Sequence, residues 1–136
     1  MSQALIILDI QEGLFSLARD YDSALYRNAI QAHAELGKAF GLPVIMSTSA
    51  ETGKNPLTRS PSIVLKLEHN TDITCKQGPN GPLPNEFLKL YPDVKVVRRQ
   101  GEVNAMDNDE FRAAVKATGK SQMILAGIVT DVCKSY

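Results

Sequence analysis

The 136-residue sequence has no tryptophan, two cysteines, two histidines and only 6% aromatic residues. Its basic and acidic side chains cancel, 15 against 15, so the formal net charge is zero. A balanced surface lacks the basic excess that draws nucleic acid or an anionic membrane. No apolar run approaches the roughly 18–20 residues that span a bilayer. The opening Met-Ser-Gln-Ala-Leu-Ile-Ile-Leu has no basic segment and meets an acid at Asp9, so it does not read as a secretory signal. Cys75 and Cys133 are too few for a disulfide framework, which points to a reducing, cytoplasmic setting. No Gly-x-Gly-x-x-Gly and no P-loop is present, so no nucleotide cofactor is indicated. His33 lies in a helical stretch as a surface or border residue, and His69 lies in an irregular one; no metal site is evident. What remains, 43% hydrophobic and 22% charged residues, is ordinary for one globular domain.

Residues 4–8, Ala-Leu-Ile-Ile-Leu, form an unbroken apolar run ending at Asp9. Such a run predicts a strand buried on both faces, as in a parallel sheet. From Ser23 to Phe40 apolar residues recur at helical spacing: Leu25, Ala29, Ala32, Leu36 and Ala39, flanked by Tyr26, Ile30 and Phe40. Gly41 and Pro43 stop that helix. Pro43–Met46 predicts a second strand, with Ser47-Thr48-Ser49 as a polar turn. Leu83–Tyr91 predicts a short helix, Val94–Val97 a strand, and Asp107 or Asn108 caps a helix running to Thr118. Met123–Ala126 predicts a fourth strand. The alternation predicts a doubly wound, Rossmann-like α/β sheet.

In such sheets ligands bind beyond the carboxyl ends of the strands, where strand order reverses. The residues to inspect are therefore Asp9, Ser47–Glu51, Arg98 and Arg99, and Gly127–Cys133. Asp9 alone reads equally as a turn-former, Arg98-Arg99 as a solvated pair, and Cys133 as a small buried hydrophobe. Together a carboxylate, a cation and a thiol at three strand ends could form one nucleophile site. A helix starting near Asp131 would put Cys133 in its first turn, where free N–H groups favour thiolate.

Ile-Leu-Asp-Ile-Gln-Glu-Gly around Asp9, and Ala-Gly-Ile-Val-Thr-Asp-Val-Cys ending at Cys133, resemble the isochorismatase-like cysteine hydrolase family. Gly-Leu-Phe-Ser-Leu-Ala-Arg-Asp, Ser-Thr-Ser-Ala-Glu-Thr-Gly, Gly-Pro-Asn-Gly-Pro-Leu and Arg-Gln-Gly-Glu-Val-Asn-Ala-Met-Asp-Asn are similar to its YcaC-type branch. The resemblance implies a three-layer α/β/α sandwich with a parallel sheet of about six strands. It also implies an Asp–Lys–Cys triad. Asp9 matches the base, Cys133 the nucleophile, and Arg99 stands where the wider family usually has Lys. The resemblance further implies a cis Ile128–Val129 bond and an oxyanion hole from the N–H groups of Val129 and Cys133. The implied reaction is cleavage of a small amide or related C–N or ester bond through a thioester, without a cofactor and in a homo-oligomer. Two other readings stay open: a catalytically inactive truncated product, and a thiol or small-ligand α/β module without hydrolysis.

The chain departs from the family pattern twice. Residues 54–78 separate Glu-Thr-Gly from Pro-Asn-Gly-Pro-Leu, and the helix and strands expected beyond Cys133 are missing after Tyr136. A structureless stretch of 25 residues is unusual inside a compact domain. Gly53-Lys54 is encodable as GGT-AAG, Gln77-Gly78 as CAA-GGN, and Cys133-Lys134-Ser135 as TGT-AAG-TCN. These codons contain donor-like and acceptor-like splice signals. The expectation is one domain over residues 1–136, incomplete on its C-terminal side and weakly active or inactive. Residues 54–78 are expected to be an atypical insert, with two origins open: a translated intron, which the codon matches favour, or a true insertion.

Overall fold

The computed structural model describes residues 2–15, 20–51 and 80–128. Four parallel strands form one sheet among these residues: β1 (Gln3–Leu8), β2 (Val44–Ser49), β3 (Val96–Arg99) and β4 (Gln122–Gly127). The helices are α1 (Glu12–Phe15), α2 (Ser23–Ala39), α3 (Asn85–Leu90) and α4 (Asp109–Ala117). The strand order is β3-β2-β1-β4. The chain steps outward from β1 to β3 and then returns to the opposite side of β1. The reversal between β1 and β4 is the switch point expected of a doubly wound sheet.

Two apolar layers explain why β1 is an unbroken hydrophobic run. Leu5 and Ile7 pack with Ile30 and Ala34 of α2 and Phe87 of α3. Ile6 and Leu8 point the other way, to Ile45, Val97 and Phe111 of α4. A strand covered by helices on both faces has no position left for a solvent-facing polar residue. The result is the three-layer α/β/α arrangement.

Helix α2 starts where Asp22 accepts hydrogen bonds from the Ala24 and Leu25 N–H groups, at 2.9 and 3.0 Å. Asn108, rather than Asp107, caps α4, accepting from the Phe111 N–H at 2.9 Å. The stripe of α2 that meets the sheet is not the one the spacing emphasised. Ile30, Ala34 and Gly37 are buried, whereas Leu25 is 70% and Leu36 54% exposed. Gly37 settles which side approaches: a Cβ there would lie 2.6 Å from the Leu5 side chain. Only a glycine lets the helix come that close to β1.

Two boundaries also shift. β2 runs through Ser49, so Ser47-Thr48-Ser49 is strand and not turn. Ser47 and Thr48 are fully buried there. β3 begins two residues later than expected and includes both arginines. The pleat then sends Arg98 outward and Arg99 inward. Residues 54–78, the expected insert, lie outside the described residues.

Candidate active site

Asp9 follows the last residue of β1 and is 2% exposed. Its backbone is left-handed, with φ 53°. Asp tolerates that region better than most residues, and the turn lifts the carboxylate off the end of the strand. The Asp9 N–H donates to the Ser47 carbonyl at 3.0 Å, which continues the β1–β2 ladder into the turn.

Arg99 ends β3, two strands from Asp9. Neighbouring strands lie about 4.8 Å apart, so the side chain must cross nearly 10 Å. It passes over Ser47 of β2, and the guanidinium is fully buried. One terminal nitrogen donates to Asp9 Oδ2 and the other to the Glu102 carbonyl. Arg99 Nε donates to Ser47 Oγ at 3.2 Å. Ser47 Oγ in turn donates to Asp9 Oδ1 at 3.1 Å. Three strand ends are thus tied into one buried polar chain, Asp9–Ser47–Arg99. A small hydroxyl side chain at position 47 leaves room for the guanidinium and also bonds both charges.

The rim is held by amides. Gln11 is fully buried; its side chain accepts from the Ser49 N–H at 2.8 Å and donates to the Gly81 carbonyl. Asn80 Nδ2 donates to the Ser49 carbonyl at 2.7 Å. The Glu12 and Gly13 N–H groups donate to the Pro82 and Asn80 carbonyls at 2.9 and 3.0 Å. Gly81 has φ 68°, a turn that suits glycine. The segment from Asn80 to Pro82 therefore lies against both the Asp9 turn and the end of β2. Outside this ring, Glu51 joins exposed Arg98 at 3.2 Å.

On the β4 side, Gly127 pairs with Leu8, so the end of β4 lies beside the strand end that carries Asp9. The Tyr26 hydroxyl donates to the Gly127 carbonyl at 2.8 Å, pinning this end of β4 to α2. Burial, and then the neighbouring Tyr21, push the Tyr26 phenol up to about 12. Cys133, Val129 and the Ile128–Val129 bond lie outside the described residues. Of the expected site, the structure brings Asp9 and Arg99 together. It adds Ser47 and Gln11, which the sequence reading left unassigned. Their only signal there was position: two polar residues just past or at the ends of apolar runs.

Among the described residues no cluster of His, Cys, Asp and Glu could hold a metal ion. A cleft of roughly 230 Å³ between α2 and α3, lined by Phe15, Arg27, Ile30 and Phe87 among others, includes none of Asp9, Ser47 or Arg99. No helix among the described residues is long and apolar enough to cross a membrane.

A doubly wound sheet with a buried carboxylate–cation pair at its strand ends defines an α/β protein with a polar site beside its switch point. The isochorismatase domain model matches residues 3–135, and the chain belongs to that family. It is 39% identical over 133 residues to the probable hydrolase YcaC of Escherichia coli K12, covering 98% of this chain and 52% of YcaC. The solved E. coli YcaC, described as an octameric hydrolase of unknown specificity, superposes with a TM-score of 0.76 at 40% identity, over 97% of this chain and 52% of YcaC. YcaC from Pseudomonas aeruginosa, solved with hexane-2,5-diol and covalent acrylamide, gives 0.76 at 38% identity, over 97% and 53%. The chain spans about half the length of the relatives it matches.

Proposed function

We propose that this chain carries the nucleophile-bearing half of a cysteine hydrolase acting on a small amide or related C–N or ester bond. The observation that carries the reading is the buried Asp9–Arg99 pair at the carboxyl end of β1, with β4 alongside leading to Cys133. A carboxylate buried this deeply needs a compensating cation and hydrogen bonds, and Arg99 and Ser47 supply both. Two bonds leave lone pairs free on Asp9, so it retains acceptor capacity for a thiol proton.

In this reading Asp9 takes the Cys133 proton and Arg99 fixes the carboxylate while favouring thiolate. Arg99 does not itself give up a proton. The sulfur attacks the carbonyl carbon and the Val129 and Cys133 N–H groups hold the resulting oxyanion. The amine or alkoxide leaves with the proton from Asp9, and water then cleaves the thioester. Acrylamide is an electrophile that thiolates attack, and its covalent presence in a YcaC relative supports a nucleophile of this kind. The octameric relative supports a homo-oligomer, and a cytoplasmic, reducing setting would keep Cys133 a thiol. Residues 54–78 remain, in this proposal, an insert without a catalytic part.

The test compares alkylation rates of Cys133 and Cys75 across pH, alongside turnover of a panel of small amides and esters. Cys133 should react faster below the ordinary thiol range of about 8.5, and Asp9→Asn should slow it. Turnover should be weak in this 136-residue form and rise when the C-terminal half of YcaC is joined after Cys133 with residues 54–78 removed. Turnover that persists in Cys133→Ala would refute the assignment.

A further inference from the structure

The outward face of α2 is apolar where the helix meets no other part of the described protein. Leu25 is 70%, Leu36 54% and Phe40 57% exposed. Ala29, Ala32 and Ala39 on the same face are exposed as well. The core does not use this stripe, since α2 already buries Ile30, Ala34 and Gly37 against the sheet. Single exposed leucines are ordinary, but a continuous stripe marks an interaction surface.

The pattern identifies the occupant. Leu25, Ala29, Ala32, Leu36 and Ala39 are spaced four, three, four and three apart, which is the seam of a helix pair. The first four read the same from either end: Leu, Ala, Ala, Leu. A two-fold axis through the middle of α2 therefore sets Leu25 of one copy against Leu36 of the other, and Ala29 against Ala32. Large residues close the ends and small ones let the helix axes approach near the centre. Self-complementarity of this kind is what an isologous dimer contact requires.

The border agrees. Asn28, His33 and Glu35 flank the seam, and the same axis sets Asn28 against His33 and Glu35 against Tyr26 of the second copy. No like charges meet. The antiparallel arrangement also places opposite helix-dipole ends side by side. From Leu25 to Leu36 the seam is about 17 Å long, enough to centre an interface.

We propose that α2 pairs antiparallel with α2 of a second copy of this chain through Leu25, Ala29, Ala32 and Leu36. This rests on the homo-oligomeric reading above and names the surface. The experiment is sedimentation velocity over a range of concentrations, with circular dichroism confirming the fold of each variant. Leu36→Lys should weaken association about a hundredfold, since the two-fold repeats a lesion worth about tenfold. Leu25→Glu combined with Leu36→Lys should restore much of it, because each Glu then faces a Lys of the second copy. Leu25→Lys with Leu36→Lys should not. A monomeric wild type overturns the oligomeric reading and this face with it. An oligomeric wild type unmoved by Leu36→Lys overturns the face alone. Equal behaviour of the two double variants overturns the antiparallel register.

Discussion

Replacing Arg99 with methionine keeps most of the side-chain volume and removes the charge. The guanidinium is fully buried and the Asp9 carboxylate 2% exposed, so the lost cation is not replaced by water. Breaking one side of a buried pair costs about 3–5 kcal/mol. The Glu102 carbonyl and Ser47 hydroxyl lose donors at the same time. In a domain with a total stability of about 5–15 kcal/mol, such a loss is a large fraction. Removing the partner charge should recover part of it. Asn tolerates the left-handed backbone of position 9, so Asp9→Asn deletes charge without adding strain. The double variant should therefore be more stable than the two single losses predict, by about 2–3 kcal/mol. Urea unfolding followed by circular dichroism measures all four corners of the cycle. A loss under about 1 kcal/mol for Arg99→Met, or strict additivity in the cycle, would refute the claim that this pair is a coupled, desolvated unit.

Arg99→Lys should fall between wild type and methionine, because one ammonium can reach Asp9 but cannot also serve both Ser47 and Glu102; the same unfolding assay ranks the three. Tyr26 should stay protonated until about 12, so stability should be full below the ordinary tyrosine value of about 10 and fall as pH rises through that interval; tyrosinate absorbance and alkaline unfolding follow this, and Tyr26→Phe should flatten the alkaline loss. The same substitution should cost about 1 kcal/mol at neutral pH through the bond to Gly127. Gly37→Ala should destabilise despite a helix-propensity gain of about 1 kcal/mol, since overpacking against Leu5 costs about 1–3 kcal/mol; thermal unfolding gives the sign. Removing residues 54–78 and joining Gly53 to Pro79 should change stability by under about 1 kcal/mol, because Ser49 and Asn80 already touch; transcript sequencing across codons 50–80 tests the coding origin directly.

The sheet was legible because buried parallel strands announce themselves as apolar runs, and Asp9 because it ends one. Arg99 was legible through the family resemblance; from the residues alone only the pleat separates it from Arg98, and the pleat depends on where β3 begins. Ser47 was read as turn because hydroxyl residues usually mark turns. Its burial becomes affordable only with charged partners on both sides, and those come from strands far away in sequence. Helix α2 carries apolar residues on two faces, so periodicity alone could not say which one meets the sheet. The deciding residue was Gly37, whose missing side chain leaves no hydrophobic signal. Cys133 rests on motif and position, since its surroundings lie outside the described residues.

The position of β1 has a consequence for how the chain comes together in time. It lies between β2 and β4, and its pairing with β4 joins residues about 119 apart, as in the Gln3–Gln122 contact. β1 therefore waits for about 119 further residues to be synthesised before its second neighbour exists. Until then one edge of an almost wholly apolar strand stays open, the kind of edge that recruits other chains. Long-range parallel pairing is intrinsically slow, so folding is expected on the millisecond-to-second scale of high-contact-order domains. Yield on refolding should then fall with protein concentration, and chaperones that shield nascent apolar strands should matter more than any single core contact.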